Sequence, residues 1–235
     1  MDPIACIRNS WELYKSQFTD IFIASLVIVL LSSVLGAVPY LGSVASLILN
    51  GVFYGGLFHF YLKRIRGQKA EIAEVFTGFQ LNPGQLMLGG AVPSLLTLLA
   101  AFLPALPFLI AFIPAAIVFS ESSERNIEIL TSALGAFAIV SLLVCIAVGA
   151  FCFLIWMFTL PLIVDKKLDF WQAMEMSRKT VMRNFLKVLG LSILAGLISI
   201  SGVLLCCIGV LLTMPIGFGA VAFAYEDLFG SKSLS

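Results

Sequence analysis

Apolar residues fill four long segments of the chain that contain no Asp, Glu, Lys or Arg. These segments cover residues 21–62, 75–120, 129–164 and 188–225. A helix needs about 20 residues to cross the hydrocarbon core of a bilayer, so the first and last segments are each long enough for two spans. The pattern predicts an all-α polytopic helical membrane bundle with about six transmembrane helices.

Proline and glycine mark the predicted breaks in the first and last segments. The first segment is interrupted at Val38–Gly42, where Pro39 precedes the glycine. The last segment breaks either near Ser199–Gly202 or a few residues later at Cys206–Gly209. Each of these two segments is therefore predicted to hold two spans joined by a short turn.

The two middle segments leave alternatives open. Residues 86–119 contain four prolines, and we interpret them as one proline-distorted span with an extension outside the membrane. The alternative is a pair of short spans that turn at Leu103–Pro107. Residues 129–164 predict one long span, because Gly149 is the only interior break signal before Pro161. An eight-span layout would split both segments and would require spans of about 15 residues, shorter than a bilayer needs.

Two shorter stretches predict amphipathic helices on the cytoplasmic surface of the membrane. In the first, apolar residues recur at spacings of three and four, at Ile4, Ile7, Trp11, Tyr14 and Phe18. In the second, residues 165–185, an apolar side is predicted from Leu168, Phe170, Trp171, Met174, Val181 and Phe185. Its basic side holds Lys167, Arg178, Lys179 and Arg183. These four are candidate contacts for anionic lipids or a protein partner, and an ordinary positive-inside anchor is the simpler interpretation.

The same order of elements occurs near both ends of the chain. We interpret residues 1–235 as a single integral membrane domain in three parts. Residues 1–67 hold the first surface helix and two spans, residues 68–164 an amphipathic linker and the two middle spans, and residues 165–235 the second surface helix and the last two spans. At an offset of 167 positions Ser10 matches Ser177, which makes a parallel internal repeat a candidate feature.

The placement of the charges predicts an orientation. Only 11% of the residues are charged, against about 25% in soluble domains, so the expected solvent is lipid. The net charge of +1 offers no field that would recruit nucleic acid. With the amino terminus inside, the inner segments of the six-span layout hold every Lys and Arg except Arg125. This predicts a multi-pass protein of the cytoplasmic (inner) membrane with both termini cytoplasmic.

Small residues at spacings of four predict close packing between helices. In the second span these are Gly51 and Gly55, and in the last span Gly209 and Gly217. Glycine removes the side chain that would keep two helix backbones apart, which matters where lipid is as apolar as leucine. Packing within the chain is the interpretation we favour, and a homo-oligomer contact is the alternative.

The residue types that carry catalysis are sparse. His59 is the single histidine, and no two of the five cysteines have the spacing of a metal site. We therefore predict no catalytic residue, no metal and no cofactor. The predicted spans contain no other ionisable residue that would suggest ion-coupled transport.

A resemblance covers most of the chain. The motif positions in the last third are Pro161, Asp165, Phe170, Ala173, Ser177, Pro215, Tyr225 and Asp227. With these residues the chain resembles uncharacterised bacterial six-span membrane families, which include the membrane domain attached to some glycerophosphodiester phosphodiesterases. The resemblance implies a multi-pass protein of undefined molecular role. No catalytic phosphodiesterase domain is present, so that activity is not implied.

These observations favour a protein that is not an enzyme. The leading hypothesis is a membrane scaffold or regulator of envelope components that acts through its cytoplasmic surface. The alternative is a transporter or channel for a small uncharged or lipid-like molecule, for which the proline-rich third segment would expose backbone carbonyls to a cavity. An intramembrane enzyme is the third hypothesis.

Overall fold

The protein is helical throughout the part that the structure describes. This computed structural model describes residues 1–38, 41–107, 110, 124–204 and 207–230, and these contain helices and no strand. The helices are α1 Pro3–Ser16, α2 Phe18–Ala37, α3 Leu41–Ile65, α4 Pro83–Phe102, α5 Glu124–Trp156, α6 Thr159–Lys166, α7 Phe170–Arg183, α8 Phe185–Leu204 and α9 Cys207–Phe229. Two 3-10 segments, Ile72–Phe79 and Leu103–Ala105, flank α4.

Six helical stretches in the described residues are long and apolar enough to cross a membrane. They are Phe18–Ala37, Gly42–Ile65, Pro83–Ala105, Leu134–Lys166, Phe185–Gly202 and Gly209–Phe229. This confirms the predicted all-α class, and the described part of the chain agrees with about six spans.

The described helix ends on either side of the first and last predicted breaks lie close to the proline and glycine positions. α2 ends at Ala37 and α3 begins at Leu41, within the predicted break. α8 ends at Leu204 and α9 begins at Cys207. These helix ends lie closer to the predicted break at Cys206–Gly209 than to the alternative at Ser199–Gly202. The third span continues through Pro93 to Ala105. A second short span after Pro107 would fall mainly on residues 108–123, of which only residue 110 is described.

The fourth span, Leu134–Lys166, agrees with the one long span that the sequence predicts, but its helix has a break near the end. α5 ends at Trp156, and α6 begins only at Thr159. Pro161 has no backbone N–H to donate to the carbonyl of Met157, so a regular helix loses a hydrogen bond at this point. The hydroxyl of Ser177 on α7 donates to the Ile155 carbonyl at 2.7 Å and accepts from the Phe158 N–H at 3.3 Å. A side chain from another helix thus bonds the backbone groups beside the break.

The chain divides into two compact units. The first comprises Met1–Val92 and Leu154–Ser235, and the second comprises Pro93–Phe153. In the first unit α3 is central, since Val52, Leu57 and Phe60 are completely buried. In the second unit the Ser141 hydroxyl donates to the Pro104 carbonyl at 3.0 Å.

The two helices predicted at the membrane surface pack against the rest of the protein through small and polar residues as well as apolar ones. α1 buries Cys6, Ser10 and Tyr14, at spacings of four, while Ile4 and Trp11 are exposed. α7 buries Met174 and Val181 as expected, together with Ala173 and Ser177, but Trp171 is 65% exposed. The periodicity of large apolar residues missed the small and polar side chains, because these make the contacts with protein. The membrane-surface position of both helices stays a prediction.

Glycine brings the backbone of α3 close to its neighbours. A Cβ on Gly51 would clash with the Leu86 carbonyl of α4, and one on Gly56 would clash with the Val75 carbonyl of the first 3-10 segment. A Cβ on Gly55 would come within 2.8 Å of the Leu86 side chain. These contacts agree with a packing role for the glycines of the second span.

The glycines of the last span differ from one another. Gly209 lies against α8, where a Cβ on Gly202 would be 2.8 Å from the Gly209 carbonyl oxygen. Gly217 has nothing within 4 Å of its Cβ position, so no close approach requires glycine there. The close contact two residues further on belongs to Gly219, which faces the Ser10 hydroxyl of α1.

Candidate functional site

One end of the first unit gathers the charged ends of several helices. The side chain of Arg64 at the end of α3 reaches Gln17 and Asp20 at the start of α2, with hydrogen bonds of 2.9 and 2.7 Å. The amino group of Met1 lies 3.3 Å from a carboxylate oxygen of Asp227 on α9. We call this region the charged end. Starts of some helices and ends of others meet at the charged end, as expected when successive spans run antiparallel.

Arg66 joins three elements at the charged end. It follows α3, and its guanidinium donates two hydrogen bonds to Asp165 on α6, at 2.6 and 3.0 Å. It also donates to one carboxylate oxygen of Glu226 on α9, at 2.9 and 3.2 Å. The Tyr225 hydroxyl donates to Asp165 at 2.8 Å. The planar fork of arginine suits such paired carboxylates.

The carboxylates fix Arg66 in its charged form. Hydrogen bonds to Asp165, followed by those to Glu226, raise the pKa of the guanidinium above its ordinary value, although partial burial opposes them. The side chains of Arg66 and Asp165 are 35% and 16% exposed, so water only partly screens the pair. The three partners therefore hold the ends of α3, α6 and α9 together.

A pocket of about 290 Å³ opens beside this cluster. Its lining residues come from the end of α3, the loop after it, the short link before α4 and the end of α6. They are His59, Leu62, Lys63, Arg66, Gln68, Leu81, Val164, Asp165 and Lys167. We call it the Arg66 pocket.

Most polar side chains that line the Arg66 pocket can donate hydrogen bonds. Lys63 donates to Glu74 at 2.7 Å, which lowers the pKa of that carboxylate. An ammonium group has three donors, so this bond uses one of them. Asp165 is the one carboxylate among the lining residues, and both of its oxygens already accept hydrogen bonds. The groups that can still bond to a ligand are mainly donors.

Two residues with left-handed backbone border the pocket. Lys167 follows α6 with φ 52°, and Asn82 has φ 95° next to the lining residue Leu81. No other non-glycine residue in the described ranges has positive φ. This conformation is uncommon for lysine, and backbone strain tends to occur at functional sites.

The basic residues predicted to share one side of residues 165–185 have different surroundings in the structure. Lys167 lines the Arg66 pocket, whereas Arg178 and Lys179 form ion pairs with Glu175 on the exposed side of α7. The Arg178 and Lys179 bonds lower the pKa of Glu175 to about 2. Arg183 is exposed at the end of α7. A shared contact of these four residues with anionic lipid or a protein partner stays a prediction.

Residues that carry the family resemblance take part in these contacts. Asp165 and Tyr225 bond to each other, and Ser177 occupies the break before Pro161. Near Pro215, the Ser10 hydroxyl donates to the Ile216 carbonyl at 2.8 Å.

Comparison with known proteins finds no family model, no curated protein and no solved structure that matches the chain. The resemblance to bacterial six-span families therefore stays a prediction.

Arg66 and Glu226 are the site residues that the sequence did not single out. They lie 160 positions apart, and Arg66 lies 99 positions from Asp165. One signal was available: all three stand at the ends of apolar segments on the same predicted side. Charges at such positions are expected to meet when the spans pack antiparallel.

No group of three or more His, Cys, Asp or Glu side chains that could hold a metal ion lies within the described ranges.

Proposed function

We propose that this chain is a non-enzymatic multi-pass protein of a bacterial inner membrane that scaffolds or regulates envelope components. In this proposal the charged end faces the cytoplasm and presents a fixed surface to a partner. The proposal concerns binding, and the partner is a membrane or envelope protein.

The observation that carries the proposal is the arrangement of charge around Arg66. Its bonds to Asp165 and Glu226 join the ends of three helices, so these ion pairs hold together the surface that we propose for the partner. α7, which packs against α6, carries large exposed apolar side chains, Trp171 at 65% and Met182 at 52%. A rigid surface with exposed aromatic and basic groups is typical of a protein contact.

The cytoplasmic orientation is supported by the positions of lysine and arginine. The described basic residues lie on α1, around the charged end, and on α7 and the start of α8, with the exception of Arg125 in the first turn of α5. Short loops that stay in the cytoplasm carry such an excess.

A parallel internal repeat is part of the same proposal. α1 and α7 each have 14 residues, and α2 and α8 each have 20. Both pairs begin at positions that differ by the predicted offset of 167. Ser10 and Ser177, the matching serines, are both buried and both donate to a backbone carbonyl of a spanning helix.

Site-specific crosslinking tests the scaffold role. A photoreactive amino acid replaces Trp171 on α7 or, as control, Ile139 on α5, which is 60% exposed within an apolar span. We expect one envelope protein to crosslink at position 171 and not at position 139. The purified partner must then bind the wild-type protein about tenfold more tightly than Trp171→Ala, the usual effect of removing an aromatic anchor.

The control separates a partner from the surrounding membrane. Equal crosslinking at both positions, or a captured protein that binds Trp171→Ala as well as the wild type, contradicts the proposal.

A further inference from the structure

The Arg66 pocket has the features of a site for an anion. Donor side chains converge on it from three parts of the chain: His59 and Lys63 on α3, Gln68 in the following loop, and Lys167 after α6. The guanidinium of Arg66 directs four of its five N–H groups to two carboxylates, so most of its donors are already used. The main groups available to a ligand are therefore the ammonium groups of Lys63 and Lys167, the imidazole of His59 and the amide of Gln68.

The single lining carboxylate does not oppose this assignment. One oxygen of Asp165 accepts from Arg66 at 2.6 Å, and the other accepts from Arg66 at 3.0 Å and from Tyr225 at 2.8 Å. Asp165 shares that guanidinium with Glu226 on α9. Lys63 has its own partner in Glu74, and Lys167 adds a further cation to a lining whose one carboxylate is Asp165.

The pocket suits an anion with several acceptor oxygens. Its volume of about 290 Å³ is larger than a single water or ion needs. Tetrahedral phosphate directs oxygens toward donors on several sides, and lysine commonly binds phosphate as a point charge. The pocket also lies at the ends of two helices that are long and apolar enough to span a membrane, where lipid head groups would be expected.

We propose that the Arg66 pocket binds a phosphate-bearing anion, with Lys63, Lys167 and His59 as donors. Two sources share this chemistry, the head group of an anionic lipid and a free phosphate compound. The inference goes beyond the scaffold role, because it concerns a ligand and not a protein partner. Its test does not use α7 crosslinking, so the two proposals can fail separately.

The variant Lys167→Gly tests the site without a risk to folding. Glycine accepts the left-handed backbone of this position better than lysine does, so the variant removes the cation and relieves strain. Lys179→Gln is the matched control, since it removes one lysine charge on the exposed side of α7. Lys63→Gln is a second pocket variant.

Two ligand arms distinguish the sources. In the first, each protein is purified in mild detergent with equal amounts of phosphatidylglycerol and phosphatidylcholine, and native mass spectrometry counts the bound lipids. In the second, inorganic phosphate is titrated against the melting temperature without lipid. We expect phosphatidylglycerol to bind the wild type and Lys179→Gln, and to bind both pocket variants about tenfold more weakly, as loss of a charge-assisted hydrogen bond predicts.

Each outcome of these measurements either supports a phosphate site in the Arg66 pocket or contradicts it. Selective loss of phosphatidylglycerol in the pocket variants supports a lipid head group. Stabilisation by phosphate in the wild type but not in Lys167→Gly, without selective lipid binding, supports a free phosphate compound. If Lys167→Gly keeps the lipid occupancy of the wild type and phosphate shifts no melting temperature, the pocket is not a phosphate site.

Discussion

Arg66 is the residue on which the charged end depends most directly. Replacing it with glutamine leaves Asp165 and Glu226 without their shared cation in a partly buried setting. We expect Arg66→Gln to lower the free energy of unfolding by about 2 kcal/mol, less than for a fully buried pair. Thermal melting in detergent measures the loss. Arg178→Gln, which removes an exposed arginine of α7, is the control and is expected to melt as the wild type does.

Glu74 is expected to make the stability of the fold depend on pH. Its pKa in the folded protein lies below the ordinary value because Lys63 donates to it, so the unfolded chain takes up the proton first as the pH falls. The stability that this pair contributes is present above the ordinary pKa of glutamate and is lost as the pH falls through the lowered one. We expect Glu74→Gln to lose about 0.5 to 1 kcal/mol at pH 7.

Melting temperatures measured from pH 7 to pH 3 check this sign. The wild type should lose more stability than Glu74→Gln over that range, and the two curves should approach each other at the acidic end. Parallel curves would show that the Lys63 contact has no effect on stability.

Single residues were predicted well only where local chemistry decides their role. Gly51 and Gly55 lie in close contacts, since a small residue every fourth position is a local signal. Gly217 has the same spacing but faces open space, because the neighbouring helix approaches at Gly219. The partners of Arg66 depend on which helix ends meet, and no local pattern contains that information.

At the scale of elements, buried serines of α1 and α7 attach these two helices to the long apolar helices. Ser177→Ala would leave the Ile155 carbonyl and the Phe158 N–H beside the break without their partner. We expect a loss of about 1 to 2 kcal/mol, and a similar loss for Ser10→Ala, whose hydroxyl bonds the Ile216 carbonyl. Ser16→Ala, an exposed control at the end of α1, should have little effect. Unchanged melting of both buried variants would refute this attachment.

Helix contacts through glycine give a second prediction at this scale. Gly56→Ala would push a methyl group into the Val75 carbonyl and is expected to cost about 1 to 3 kcal/mol through overpacking. Gly217→Ala meets nothing within 4 Å and should be neutral or slightly stabilising, because alanine favours a helix. Folded yield in membranes and melting in detergent compare the two. A loss in Gly217→Ala equal to that in Gly56→Ala would reject this explanation.

The sequence predicts the presence of the helices more readily than which side of each helix is buried. Long apolar runs predict spans because lipid forces every backbone group to bond internally. The break at Trp156–Thr159 was missed, since its cause is partly Pro161 and partly a serine 16 positions beyond that proline. The side of α1 that packs against protein was not predicted, because Cys6 and Ser10 are small and the large exposed residues dominate the periodicity.

For the whole molecule, the account depends on which side of the membrane each loop occupies. Insertion of alkaline phosphatase, which is active only outside the cytoplasm, measures this directly. Placed after Gly67, beside the charged end, the enzyme should be inactive, and placed after Ser123, in the acidic segment before α5, it should be active. Activity at Gly67, or inactivity at Ser123 in a stable fusion, would contradict six spans with a cytoplasmic charged end.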